Sequence, residues 1–228
     1  MQRRQFLSTL IAGLSAAAVS GSALAQAALG GSLPAAGSAG GAAIAGQTYA
    51  TLNTPSPAAG SKIEVLEFFS YGCPHCHDFS EPFERWSRKQ AKDVVVHRVP
   101  VTFGRPQWVV LGRLFYTIQI MKLPALDPAV FTAIHQQGRM LFEDQAVLQW
   151  AASQPGVDAN KFKDVYFSQE VTNAMKKADA MAMTYQIDAV PTIVVGGHYK
   201  MLQQRGMNFT DLLANTDTVV KLARQGRK

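Results

Sequence analysis

The stretch Ile63-Glu64-Val65-Leu66-Glu67-Phe68-Phe69-Ser70-Tyr71-Gly72-Cys73-Pro74-His75-Cys76 decides the fold. Apart from its two glutamates, the first half is apolar and β-prone, which reads as a buried central strand. Pro74 suits the first position of a helix, where its missing N–H costs nothing. Phe79, Phe83 and Trp86 then recur at helical spacing up to about residue 90. The two cysteines therefore open a helix that follows a buried strand. The next apolar run, V-V-V-H-R-V-P-V at 94–101, completes a β-α-β unit, for which a right-handed crossover is expected.

Working outward, residues 48–52 are a short strand candidate closed by the turn-forming run Asn53-Thr54-Pro55-Ser56-Pro57. From 106 to 167 the chain reads as several helices, with Asp127-Pro128 and Asp158 as caps and Pro124 and Pro155-Gly156 as breakers. Val171, Met175, Ala178, Ala182 and Tyr185 mark a longer helix. Residues 191–195 and 198–202 form a hairpin about Gly196-Gly197, and a last amphipathic helix spans about 210–224. The expected architecture is an α/β fold, a mixed sheet flanked by helices, with a helical insertion over about residues 105–170.

The 228 residues are 47% hydrophobic and 17% charged, which excludes collagen, coiled coil and wholesale disorder. A net charge of +6 is spread thinly, without the basic and aromatic clustering that tracks a phosphate backbone, so nucleic acid is not an expected partner. The N-terminus has the three-part layout of a signal peptide: Arg3-Arg4, an apolar run over 6–19, then Ala23-Leu24-Ala25. Residues 1–25 are thus expected to be cleaved after about Ala25. The Arg3-Arg4 pair also resembles a twin-arginine export signal, and the sequence leaves the export route open. Residues 26–46, almost only Ala, Gly and Ser, read as a flexible tether ahead of a folded domain at 47–228.

Cys73 and Cys76 are the whole thiol inventory. Two thiols three residues apart on the first turn of a helix can close and reopen a disulfide, whereas so short a loop gives a structural disulfide little to stabilise. The first sulfur faces unpaired backbone N–H groups, and a cationic His75 would add to their preference for the thiolate. Cys73 is therefore expected to be the exposed sulfur that forms a mixed disulfide, and Cys76 the buried thiol that resolves it. Glu67 points inward if Leu66 and Phe68 take the other face, and a buried carboxylate there could relay the proton of Cys76.

These residues resemble the periplasmic thiol oxidases of the DsbA type, in the thioredoxin-like superfamily. The resemblance rests on Val65-Leu66-Glu67-Phe68-Phe69-Ser70 leading into Cys73-Pro74-His75-Cys76, on Tyr49-Ala50-Thr51-Leu52, and on Val190-Pro191-Thr192. It covers about residues 47–224 and implies a thioredoxin-like fold with an inserted helical domain. It further implies that Pro191 is cis and faces the disulfide, with Val190 pairing its backbone with an extended client. It places a buried acid at Glu67, where family members often carry a nearby lysine on the neighbouring strand; Val94 to Val96 offers none. The implied reaction is oxidation of reduced, unfolded exported proteins by a periplasmic monomer that needs no cofactor and no metal. Reoxidation would come from a DsbB-like membrane quinone reductase.

Two rival readings use the same residues. One is a disulfide reductase or isomerase of the superfamily. The other takes Cys73-x-x-Cys76-His77 as a c-type haem attachment motif, and a zinc site lacks a second ligand pair. His77 reads as an exposed helix residue, and His97, His135 and His198 have no assigned role. Trp86 is the expected fluorescent reporter of the cysteine couple.

Overall fold

The computed structural model describes residues 44–54 and 62–226, all within one packed unit. The expected signal peptide, most of the expected tether and the prolines of the turn after Thr54 lie outside the described residues. Residues 44–46, read as the end of the tether, instead form a turn onto the first strand. There the Ile44 N–H donates to Thr48 Oγ1 at 2.8 Å and the Gly46 N–H to the Tyr49 carbonyl at 2.8 Å.

Among the described residues, five strands form one sheet in the order β1-β5-β4-β2-β3. They are β1 (Tyr49–Thr51), β2 (Ile63–Phe69), β3 (Val94–Pro100), β4 (Thr192–Val195) and β5 (Tyr199–Met201). β2 pairs parallel to β3 and antiparallel to β4, while β5 pairs antiparallel to both β4 and β1. The β4–β5 turn needs left-handed backbone at both Gly196 and Gly197 (φ 60° and 65°), which glycine adopts without a Cβ penalty.

The alternation of β2 sorts its side chains between two layers. Ile63 and Val65 pack with Phe79, Phe83 and Trp86 of α1 (Pro74–Ser87) and with the last helix, α7 (Phe209–Gln225). Leu66 and Phe68 pack on the opposite face with Ala178 and Ala182 of α6 (Gln169–Thr184). Glu67 shares the face of Val65 and Phe69, turned toward α1.

The helical insertion lies between β3 and α6. It comprises α2 (Pro106–Ile120), α3 (Leu126–Phe131), a π-helical turn (Thr132–Gln136), α4 (Asp144–Ala152) and α5 (Ala159–Tyr166). Asp158 caps α5 as expected, accepting from the Lys161 N–H at 3.0 Å. Asp127 does not cap. It sits inside the first turn of α3, behind Ala125, and its carboxylate is drawn to a guanidinium and a phenol beside the cysteines. The insertion's core also takes in Phe69, Tyr71, Cys73 and Cys76, so the site is built where the two halves of the molecule meet. Among the described residues, no helix is long and apolar enough to cross a membrane.

Candidate active site

Cys73 is the N-cap of α1, with extended backbone (φ −98°, ψ 119°), and Pro74 follows at the first helical position. Its carbonyl accepts the N–H groups of Cys76 and His77, each at 3.1 Å. Cys76 is wholly buried and Cys73 is 8% exposed, beneath exposed Pro74 and His75. The first sulfur is therefore less open than the sequence suggests, because the turn before β4 lies against it. The Cys73 thiol faces the Val190 carbonyl at 3.6 Å, and the Val190–Pro191 peptide is cis. The residue whose backbone is expected to pair with a client thus has its carbonyl against the reactive sulfur. Both cysteines are free thiols.

Their environments push the two thiols apart. Cys73 is lowered from 9.0 to about 6, first because the Cys76 thiol donates a hydrogen bond to its thiolate. Partial burial opposes this; the backbone N–H groups of Cys76 and His75, and then the charge of His75, reinforce it. The helix terminus and His75, taken from the sequence as the leading causes, rank behind the neighbouring thiol. Cys76 is pushed far above the thiol range, chiefly by burial, then by its donation to Cys73 and by the negative charges of Cys73 and Glu67.

A thiol with a pKa of about 6 is about nine-tenths thiolate at pH 7, against about one part in a hundred at the unperturbed value. The thiolate's contribution to the reduced fold is fully present above the unfolded value of 9.0 and is lost as pH falls through about 6. Alkylation of the reduced protein by iodoacetamide is expected to modify Cys73 alone, its rate rising with pH about a midpoint near 6. A midpoint near 9, or equal labelling of both cysteines, would contradict this asymmetry.

Beneath the cysteines, Glu67 is fully buried, whereas Glu64 on the same strand is exposed. Burial raises the Glu67 pKa, Arg98 opposes the rise, and Asp127 adds to it. The basic partner absent from Val94 to Val96 is Arg98. The parallel register sets it directly opposite Glu67, and its Nε donates to Glu67 Oε2 at 2.7 Å. Arg98 also stacks on Phe69, 3.8 Å from the ring centroid, and donates from Nη1 to Asp127 Oδ2 at 2.6 Å. Asp127 Oδ1 accepts the Tyr71 hydroxyl.

The helical insertion grips the β2–α1 loop at three points. Besides the Tyr71 hydroxyl, the Tyr71 carbonyl accepts from His135 Nε2 at 2.7 Å. Gly72 packs so closely on Trp108 of α2 that a Cβ there would lie 2.9 Å from the indole nitrogen. Trp108, beside the residue preceding Cys73, is therefore the natural fluorescent reporter; Trp86 packs lower down against α7. His77 is half-buried rather than exposed, with its ring 5.0 Å from His135 and 5.9 Å from Phe131.

Arg98, Asp127, Tyr71, Trp108 and His135 escaped the sequence reading. Arg98 had a signal, a lone cation in an apolar strand, recoverable by counting the β2–β3 register from Ile63 opposite Val94. The others are brought in only by tertiary packing.

The DSBA-like thioredoxin domain matches residues 109–214. The thiol:disulfide interchange protein DsbA of Bordetella parapertussis is 42% identical over 154 residues, covering 67% of this chain and 73% of the relative. That of Burkholderia cepacia is 37% identical over 182 residues, covering 78% and 83%. The crystal structure of Pseudomonas aeruginosa DsbA superposes with a TM-score of 0.74 at 36% identity, over 80% of this chain and 95% of that one. With an asymmetric thiol pair at a helix N-terminus facing a cis-proline turn, and relatives of this extent, the chain belongs to the DsbA family and is a thiol:disulfide oxidoreductase.

Proposed function

We propose that the protein donates its Cys73–Cys76 disulfide to cysteine pairs of newly exported proteins in the periplasm. The observation that carries this is the opposed tuning of the two thiols, Cys73 lowered to about 6 and Cys76 pushed far up. A stabilised Cys73 thiolate favours the reduced protein, so its disulfide gives up its bond readily and Cys73 is a good leaving group. A client thiolate attacks Cys73 Sγ, the electron pair of the broken bond goes to Cys76 Sγ, and a mixed disulfide forms. The client's second thiolate then attacks its own sulfur, and Cys73 leaves as thiolate. Pro74 starts the helix that holds both thiols, and His75 helps to lower the Cys73 pKa, through its backbone N–H first and its side chain second.

Val190 and Pro191 are the client platform in this reading, which the 3.6 Å approach of the Val190 carbonyl to Cys73 Sγ supports. Export rests on the signal-like residues 1–25, with the Ala/Gly/Ser-rich residues that follow as a spacer and a working domain that begins with the turn at Ile44. Reoxidation falls to a membrane quinone reductase of the DsbB type, which would use the same surface and accept electrons through Cys73. The test is stoichiometric: one equivalent of oxidised protein should close one disulfide in a reduced, unfolded client while becoming a dithiol. Failure to oxidise the client, with transfer only in the opposite direction, would favour the reductase reading.

A further inference from the structure

β3 is an edge strand. Among the described residues it pairs with β2 on one side and with no strand on the other. The ladder to β2 is fixed at its two ends, where the Ile63 N–H donates to the Asp93 carbonyl at 2.7 Å and the Val101 N–H to the Phe69 carbonyl at 2.8 Å. With Ile63 opposite Val94, the parallel pattern turns the backbone groups of Val95, His97 and Val99 toward β2. Those of Val96 and Arg98 therefore point away from the sheet. Pro100, which has no N–H, ends the run of outward donors.

Beside this edge lies a cavity of about 780 Å³, within the size range of ligand pockets. Val96, His97 and Arg98 line it, between one wall from α1 and another from α2 and α3. α1 packs on one face of the sheet, and Tyr116 of α2 packs on the other. The two walls leave room for one extended chain along β3 and obstruct the approach of a second sheet. The lining is acidic: of its four Asp, Glu, Lys or Arg side chains, Glu81, Glu84 and Asp127 are carboxylates and only Arg98 is a cation. That runs against the sign of the chain, whose net charge is +6. Arg98 is engaged by Glu67 and Asp127. Glu81 and Glu84 meet Arg85 and Arg88 on the exposed surface of α1, where ion pairs hold weakly.

We propose that the free edge of β3 is a second client-binding surface, at which an extended segment of an unfolded protein pairs its backbone with Val96 and Arg98. A lysine or arginine of that segment meets Glu81 and Glu84. The proposal rests on the oxidase reading above and adds to it a surface apart from the cysteines. Main-chain pairing suits clients that share no sequence, and the acidic wall selects the charge of the segment. Ser80 to Ser87 lie roughly 10 to 21 Å along α1 from Cys73 at the helical rise, a separation that a few residues of extended chain span. A client held on β3 thus keeps its own cysteines close to the reactive sulfur.

The first test is amide hydrogen exchange on the mature protein, with a cysteine-free, extended synthetic peptide carrying two lysines as the probe. In the free protein the Val96 and Arg98 amides are expected to exchange fast while those of Val95, His97 and Val99 are protected. With peptide at about ten times its Kd, exchange at Val96 and Arg98 should slow by about tenfold. A peptide with glutamates in place of the lysines, or one N-methylated at the amides that face β3, should give no such protection. The proposal is overturned if the lysine peptide leaves both amides unchanged or if either control peptide protects them equally. It is also overturned if both amides are already protected in the free protein, because a second copy or another segment of this chain would then cover the edge.

Kinetics supply the second test. Val96→Pro removes one outward donor and leaves the β2 ladder intact, and Glu81→Gln with Glu84→Gln removes charge without touching β3. Each should raise KM for a lysine-bearing unfolded client by about fivefold, the scale of one lost hydrogen bond or charge contact. Neither should change kcat or the rate at which glutathione reduces the Cys73–Cys76 disulfide. An unchanged KM in the glutamine double variant, or a matching loss in the glutathione reaction, would overturn the proposal. The peptide contains no thiol, so failure of the oxidase reading shows separately, as a protein that binds the peptide and oxidises no client.

Discussion

Cys73→Ser abolishes client oxidation, bringing the rate down to that of the client alone in buffer, while the protein stays folded. The loss is complete because the substitution removes the one sulfur a client can reach; Cys76 is wholly buried. Unfolding does not explain it. Cys73 makes no side-chain capping bond to α1, and serine at an N-cap offers an oxygen that accepts a first-turn N–H, so the melting temperature should hold or rise slightly. Circular dichroism and thermal melting check the fold, and client disulfide formation checks the activity. An active Cys73→Ser protein would show that the mixed disulfide forms elsewhere.

The second large effect is the opposite kind of failure. In Cys76→Ser the attacking thiolate remains but nothing internal can resolve what it makes. Cys73 thiolate attacks a disulfide RS–SR′, forms Cys73–S–SR and releases R′S⁻; in the native protein Cys76 then attacks Cys73 and frees RS⁻. Without Cys76 the adduct persists until an outside thiol arrives, its lifetime moving from the seconds end to the hours end of thiol exchange. Non-reducing gels of Cys76→Ser incubated with oxidised glutathione or a disulfide-bearing client should show a near-complete, dithiothreitol-sensitive shift. Absence of any adduct would contradict Cys73 as nucleophile.

A companion variant separates the resolving role of Cys76 from its electrostatic one. The leading cause of the low Cys73 pKa is the hydrogen bond from Cys76, which a serine hydroxyl can still donate and an alanine cannot. Cys76→Ala should therefore trap adducts too, with its Cys73 alkylation midpoint moved upward from that of Cys76→Ser.

Local chemistry in the chain carried much of this account. The apolar run of β2, the proline opening α1, and the Gly196-Gly197 turn each declare their element through backbone and packing preferences that act over a few residues. Cys73 and Cys76 declared theirs because three-residue spacing on a first helical turn has few other uses. The network below them was less legible, for a physical reason. Glu67 meets Arg98 only through a strand register, and Asp127 arrives from an insertion whose docking angle no local pattern encodes. Asp127 followed by Pro128 reads as a cap in isolation; in the fold, a partly buried guanidinium and a phenol outbid an exposed helix terminus for its carboxylate. Trp108 took the place of Trp86 for the same reason, since α2 folds back over Gly72 while the tip of α1 turns away from it.

The most direct measurement is the redox midpoint of the Cys73–Cys76 couple, taken in glutathione buffers at pH 7 with Trp108 fluorescence as the reporter. A lowered Cys73 pKa stabilises the reduced form, so the account predicts a midpoint well above thioredoxin's value of about −270 mV, on the oxidising side of the glutathione pool. A midpoint at or below about −270 mV would contradict it, because a disulfide that stable would draw electrons from no client and the protein would work as a reductase.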